Sequence, residues 1–240
     1  MFVALFPAFT SGSVDIEALM QAYPPEIFKA FGISTNIFGQ VESFLTAEQF
    51  SIMWPILTVA FSVSLASWAI SGQIEKRTMY YLLSEPLSRI GVFFSKYLSG
   101  ALVLIVYCAF SVYPIIWFAK AYDIAHVSIG NYNQLFLLCV LFTLSIYSLS
   151  MLASSIFSDR GKVVFTTVGI VVLMYLINIV ANLKDSLDKL KLGSFFYYFD
   201  SGNVIIGNAL RDNTYWAFGL TIIISTLLAV YIFNKRDIAV

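Results

Sequence analysis

Charge is the first thing this chain lacks. Of its 240 residues only 12% are Asp, Glu, Lys or Arg, about half the ~25% of a soluble domain. That shortage excludes an ordinary soluble domain. Lys plus Arg and Asp plus Glu number 14 each, so no net field draws the chain to nucleic acid. Histidine occurs once, as His126, with only Asp123 near it in sequence, too little for a metal or general-base cluster. The two cysteines, Cys108 and Cys139, fall inside apolar runs and read as buried small hydrophobes, not as a disulfide or metal framework. A phosphate-binding loop is missing too, because Gly161-Lys162 runs into Val163 and has no upstream glycine.

What the chain has instead is apolar length. Hydrophobic residues make up 59% and the mean hydropathy is +0.83. A bilayer core needs about 20 apolar residues per helix, and five segments supply them: 50–72, 92–119, 135–157, 163–181 and 215–233. Apart from Lys96 near the start of 92–119, none of the five contains Asp, Glu, Lys, Arg or His. Their polar content is hydroxyls, such as Ser62, Ser67, Thr143, Ser148 and Ser154, with one amide, Asn178. Such groups mostly serve close helix packing. The expectation is an all-α polytopic membrane protein forming one domain over 1–240. Residues 1–9, MFVALFPAF, are apolar but too short to cross, and read either as the remnant of a truncated first span or as an interfacial anchor. Counting that remnant gives six helices.

Basic residues orient the spans. The segments 73–96, 158–162 and 234–240 carry 8 Lys and Arg in 36 positions, against 6 in the 90 positions of 8–49, 120–134 and 182–214. The dense set is expected on the cytoplasmic side, with the C-terminus inside a prokaryotic cytoplasmic membrane. On the outer side, the amphipathic segment 10–49 is expected to form two short interfacial helices over 14–32, on either side of Pro24-Pro25. Residues 193–212 combine the aromatic cluster Phe195–Phe199, expected at headgroup level, with a seven-residue apolar run too short to span. This is expected to be a re-entrant hairpin.

Between the spans 50–72 and 92–119 lies EKRTMYYLLSEPLSR, residues 75–89. Met79, Leu82 and Leu83 fall at i, i+3 and i+4, Glu75 opens the helix where an acid suits the dipole, and Pro86 stops it. The expectation is a surface helix over 74–85 whose apolar stripe faces outward or into lipid. That pattern fits a plain interfacial helix as well as a docking element.

The run from Gln73 through Glu75, Thr78, Leu82-Leu83-Ser84, Pro86 and Ser88-Arg89 to Lys96 resembles the signature of type-2 ABC exporter permeases. The likeness extends to the span pattern, the outer hairpin and the closing Lys235-Arg236-Asp237-Ile238. Arg77 stands where many members have Gly; as the better helix former, it leaves the helix expectation intact.

The resemblance implies a type-2 ABC exporter transmembrane fold with a cytoplasmic coupling helix that fits a groove on an ATPase subunit. It implies two permease copies, as a homodimer or a related heterodimer, with two ATPase subunits holding ATP and Mg and no cofactor in this chain. The ATPase-coupling residues it indicates are Glu75, Thr78, Met79, Tyr81, Leu82, Leu83 and Arg89. The function implied is a permease subunit forming the substrate path of an exporter, not an enzyme. The alternative is a non-transporting membrane sensor on the same fold. An intramembrane enzyme or an ion-coupled transporter would need ionisable groups within the spans. The uncharged, hydroxyl-rich spans suggest an amphipathic or hydrophobic cargo.

Overall fold

The computed structural model describes residues 46–79, 81, 87–121, 129–183, 185–207 and 209–236. The expected amphipathic segment, the 1–9 remnant and the pair Leu82 and Leu83 lie outside them. Among the described residues the protein is all-helical, as expected of an α-helical membrane protein. Four helices are long and apolar enough to cross a bilayer: α3 (Arg89–Ala121), α4 (Ile129–Ile156), α5 (Arg160–Leu183) and α8 (Thr214–Lys235). Each runs a few residues past its apolar stretch at one end or both, because flanking polar and basic residues can continue a helix into the interfacial layer.

The remaining span differs from the expected 50–72. A π-helical turn, Thr46–Met53, leads into α1 (Trp54–Ala69), which is 16 residues long. Ile70 then leaves helical geometry at φ −123° and ψ −67°, and α2 (Ser71–Glu75) begins. The π turn is the wider, rarer helical form that absorbs an extra residue. Composition alone does not reveal such changes of winding.

The structure divides into two compact units; α3, α4 and α5 contribute residues to both, and α8 to one. One unit comprises 57–108, 139–173 and 213–240. Its centre is aromatic: Phe93 stacks on Tyr97 at 6.0 Å, Phe233 lies 6.1 Å from Phe93, and Tyr97 lies 5.4 Å from Tyr147. Gly100 makes this possible. A Cβ at that position would sit 2.1 Å from Tyr147 Oη, so only glycine lets the ring lie against α3. There the Tyr147 hydroxyl donates to the Lys96 carbonyl at 3.3 Å. Tyr97 and Ser148 share a 2.7 Å hydroxyl contact, and Thr58 meets Tyr107 at 3.3 Å.

The other hydroxyls mostly turn back on their own helices. Thr143, Ser145, Ser148 and Ser155 each donate to the carbonyl four residues earlier. This satisfies a hydroxyl where no water is available. These groups therefore serve packing. α4 is the most enclosed long helix, with 61% of its most apolar window buried against 17% for α5. That leaves most of α5 with an open apolar face.

The second unit takes in 46–56, 109–138 and 174–212 among the described residues. Here Asp185–Gly193 forms a 3-10 stretch, followed by α6 (Phe195–Tyr198) and α7 (Ser201–Gly207). Ser194 caps α6 by accepting from Phe196 N, while its hydroxyl donates to the Met174 carbonyl at 2.8 Å. The aromatic cluster packs inward more than the headgroup expectation implies. Phe195, Tyr198 and Phe199 are buried, and Phe199 stacks on Trp54 at 5.4 Å. Asp200 pairs with Arg211 at 2.6 Å, and the Arg211 guanidinium lies over the Tyr197 ring. This pairing closes the segment that the hydropathy pattern marks as a hairpin.

Candidate functional site

The polar chemistry of the first unit gathers where α2, α3, α4, α5 and α8 begin or end. After Glu75 the chain closes α2 with a defined stop. Arg77 N donates to the Ile74 carbonyl at 2.9 Å, and Thr78 N donates to the Gln73 carbonyl at 2.9 Å. Arg77 itself adopts φ +59°, in the left-handed region. These two bonds and that conformation make a Schellman turn, with Arg77 at the position glycine usually takes. Thr78 reinforces it, its hydroxyl donating to the same Gln73 carbonyl at 3.2 Å.

The continuous helix expected over 74–85 is thus corrected: α2 ends at Glu75 and the chain turns at residues 76–77. Helix propensity misled because it rates Arg against Gly in a helix interior. This position is a helix stop, where the absence of a Cβ matters more.

Met79 is the second correction. It is 1% exposed and sits in the aromatic core with Ile70, Phe93 and Phe233, so it anchors the turn instead of presenting an outward stripe. Tyr81 is 73% exposed. Leu82 and Leu83 lie outside the described residues.

Glu75 meets a different helix. Its Oε2 accepts a hydrogen bond from Arg160 N, the first amide of α5, at 3.0 Å. The third amide of that helix, Lys162 N, donates to Asp159 Oδ1 at 3.1 Å. Two carboxylates therefore satisfy two of the free N–H groups of the first α5 turn and complement its dipole. Beside them Trp68 carries two cations, with the Arg160 guanidinium 4.1 Å and Lys76 Nζ 4.3 Å from its ring. Gly72 provides the room, since a Cβ there would come within 2.9 Å of Arg160 Cδ and 3.1 Å of the Trp68 ring. One helical turn earlier, Ser71 N donates to Ser154 Oγ at 3.0 Å, tying the start of α2 to the end of α4.

Arg89, the first residue of α3, belongs to a separate cluster. Its guanidinium donates to the Arg236 carbonyl at 2.5 Å. Arg236 in turn donates to the carbonyls of Ser155 at 2.9 Å and Phe157 at 3.2 Å, and contacts the Ser158 hydroxyl. It thereby caps the C-terminal end of α4, where carbonyls have no helical partner. Partial burial pulls the Arg236 guanidinium below its ordinary pKa, and it remains charged at neutral pH.

The proposed coupling residues thus fall into distinct environments. Glu75 and Thr78 share the α2 stop, Arg89 joins the α4 cap, Met79 is core, and Tyr81 faces out. Sequence reasoning missed Trp68, Gly72 and Arg160 as site residues, and noted Arg236 only within the closing Lys235-Arg236-Asp237-Ile238. A signal existed for Arg160: Ser158-Asp159 just before an apolar run marks a helix start whose amides need partners.

The comparisons agree with this architecture. The family described as ABC-2 family transporter protein matches residues 1–238. No curated protein matches the chain at a significant level. The match covers nearly the whole chain, and the four long apolar helices suit a multi-pass membrane protein. The chain belongs to the ABC-2 transporter family and is a membrane-spanning permease component of an ABC transporter.

Proposed function

We propose that the chain forms part of the substrate path of an ATP-driven exporter and receives its energy from a separate ABC ATPase at the segment 75–89. The observation that carries this reading is the emptiness of the span interiors. The five segments hold no Asp, Glu, Arg or His, and their one charged residue, Lys96, sits near the start of 92–119, so no carboxylate or imidazole is available there to bind a driving ion or relay a proton. A permease so built must be moved by another chain, and membership of the ABC-2 family implies an ABC ATPase as that partner. In this reading two ATPase subunits, holding ATP and Mg, act on two permease copies, alike or related. The dense basic set supports a cytoplasmic side for 75–89 and the C-terminus, where ATP is available.

Within that scheme Tyr81, Leu82 and Leu83 provide the contact surface, while Glu75, Thr78, Met79 and Arg89 hold the segment to the body of the permease. The cargo class best suited to hydroxyl-lined, uncharged spans is amphipathic or hydrophobic. The test is purification from its native membrane followed by reconstitution into vesicles. The expected result is an ABC ATPase in the preparation and ATP-dependent movement of an amphipathic dye. An ATPase that co-purifies and hydrolyses ATP without moving any tested cargo would favour the sensor alternative. A permease that carries no ATPase would refute the reading.

A further inference from the structure

Glu75 is placed to pass motion on as well as to sit near a docking surface. We infer that its carboxylate is a positioning group that clamps the coupling segment to the first turn of α5, so that displacement of the segment drives α5 directly. The inference rests on the exporter reading above and deepens it.

Three observations carry it. First, Glu75 is separated by 85 residues from the amide it binds, yet its Oε2 lies 3.0 Å from Arg160 N. The first amide of a helix has no partner within that helix, so an acceptor from elsewhere in the chain ties the two elements together. Second, the bond is not alone. Arg160 and Lys76, each next to one of the bonded groups, both lie on the Trp68 ring at 4.1 and 4.3 Å. The end of α1, the end of α2 and the start of α5 are therefore joined through one ring and one carboxylate. Third, the joint has no slack. A Cβ on Gly72 would come within 2.9 Å of Arg160 Cδ, and the Schellman turn at Lys76–Thr78 fixes where Glu75 ends its helix.

The far side of the joint is the less enclosed one. α5 is the least enclosed of the long helices, with 17% of its apolar window buried. A push on 76–81 meets the aromatic core through Met79 and α5 through Glu75. Of these two elements, α5 has less packing to hold it in place. Lys76 and Arg160, the cations at the joint, are held over the Trp68 ring, and Asp159 is engaged by Lys162 N. Glu75 therefore supplies a directed hydrogen bond to α5 beside the link through the Trp68 ring.

The test is hydrogen–deuterium exchange of the permease co-purified with its ATPase, with and without ATP plus vanadate. In the wild type, trapping should change exchange in both 71–79 and 160–164. Glu75→Ala should keep the change at 71–79 and lose it at 160–164. Glu75→Gln, which still offers an oxygen to a neutral N–H, should retain the response at 160–164, and a merely structural loss would not be rescued this way. A response at 160–164 that survives Glu75→Ala would overturn the clamp and leave the exporter reading standing. A wild type that shows no nucleotide-dependent change at 71–79 would overturn both.

Discussion

Replacing Arg77 by glycine separates two accounts of the 75–89 segment by the sign of the effect. If residues 74–85 formed one helix, Gly would cost about 0.8–1 kcal/mol in its interior. The structure instead holds Arg77 at φ +59°, at the stop of a Schellman turn. A non-glycine residue there carries a penalty of about 1–2 kcal/mol. The extra freedom of Gly in the unfolded chain returns about 0.5–1 kcal/mol of that. The net is a stabilisation of roughly 0.5–1 kcal/mol. For a chain of this size that corresponds to a rise in melting temperature of roughly 1–4 °C.

The order of variants sharpens the test. Asn tolerates the left-handed region and should fall between Gly and Arg, while Val, branched at Cβ, should be the least stable. The assay is thermal unfolding in detergent, followed with hydrogen exchange of the 76–78 amides, which reports the turn itself. Stabilisation in the order Gly, Asn, Arg, Val supports the turn. A fall in stability with Gly, or an order that follows helix propensity, would refute it.

Other expectations follow from the same contacts. Gly100→Ala should cost about 1–3 kcal/mol, because its Cβ must push Tyr147 off Lys96 and Tyr97. Adding Tyr147→Phe removes the nearest clashing atom and should recover part of that loss, a coupling that a double-mutant cycle in thermal unfolding would read. Arg236→Ala should cost about 1–3 kcal/mol by leaving the Ser155 and Phe157 carbonyls at the end of α4 without a donor. Arg236→Lys should restore little, since a single ammonium cannot reproduce the planar fork; unfolding midpoints of the two variants check this.

Much of the transmembrane fold was legible in the sequence, and the reason is physical. Apolar length is a one-dimensional requirement set by the bilayer, so 92–119, 135–157, 163–181 and 215–233 each fall largely within α3, α4, α5 and α8. The break at Ile70 and the π turn before Trp54 were not legible. They depend on pairings such as Ser71 N with Ser154 Oγ, 83 residues apart, which no local pattern announces. The site divides in the same way. Glu75, Thr78 and Arg89 were picked from a motif, and the structure supplies what each of them touches. Met79 was read as outward-facing because its spacing to Leu82 and Leu83 suits a helix, but the turn at Arg77 redirects the chain and buries it. The role of Trp68 was hidden because a tryptophan near the end of a span ordinarily reads as an interfacial anchor.

The central claim is that another chain powers this permease through the 75–89 segment. The most direct measurement is co-purification of the ABC ATPase with the wild type and with a Leu82→Asp, Leu83→Asp variant, each at matched membrane yield. The account predicts that the ATPase accompanies the wild type and is lost from the variant while insertion is unchanged. Equal recovery of the ATPase with both proteins would contradict it.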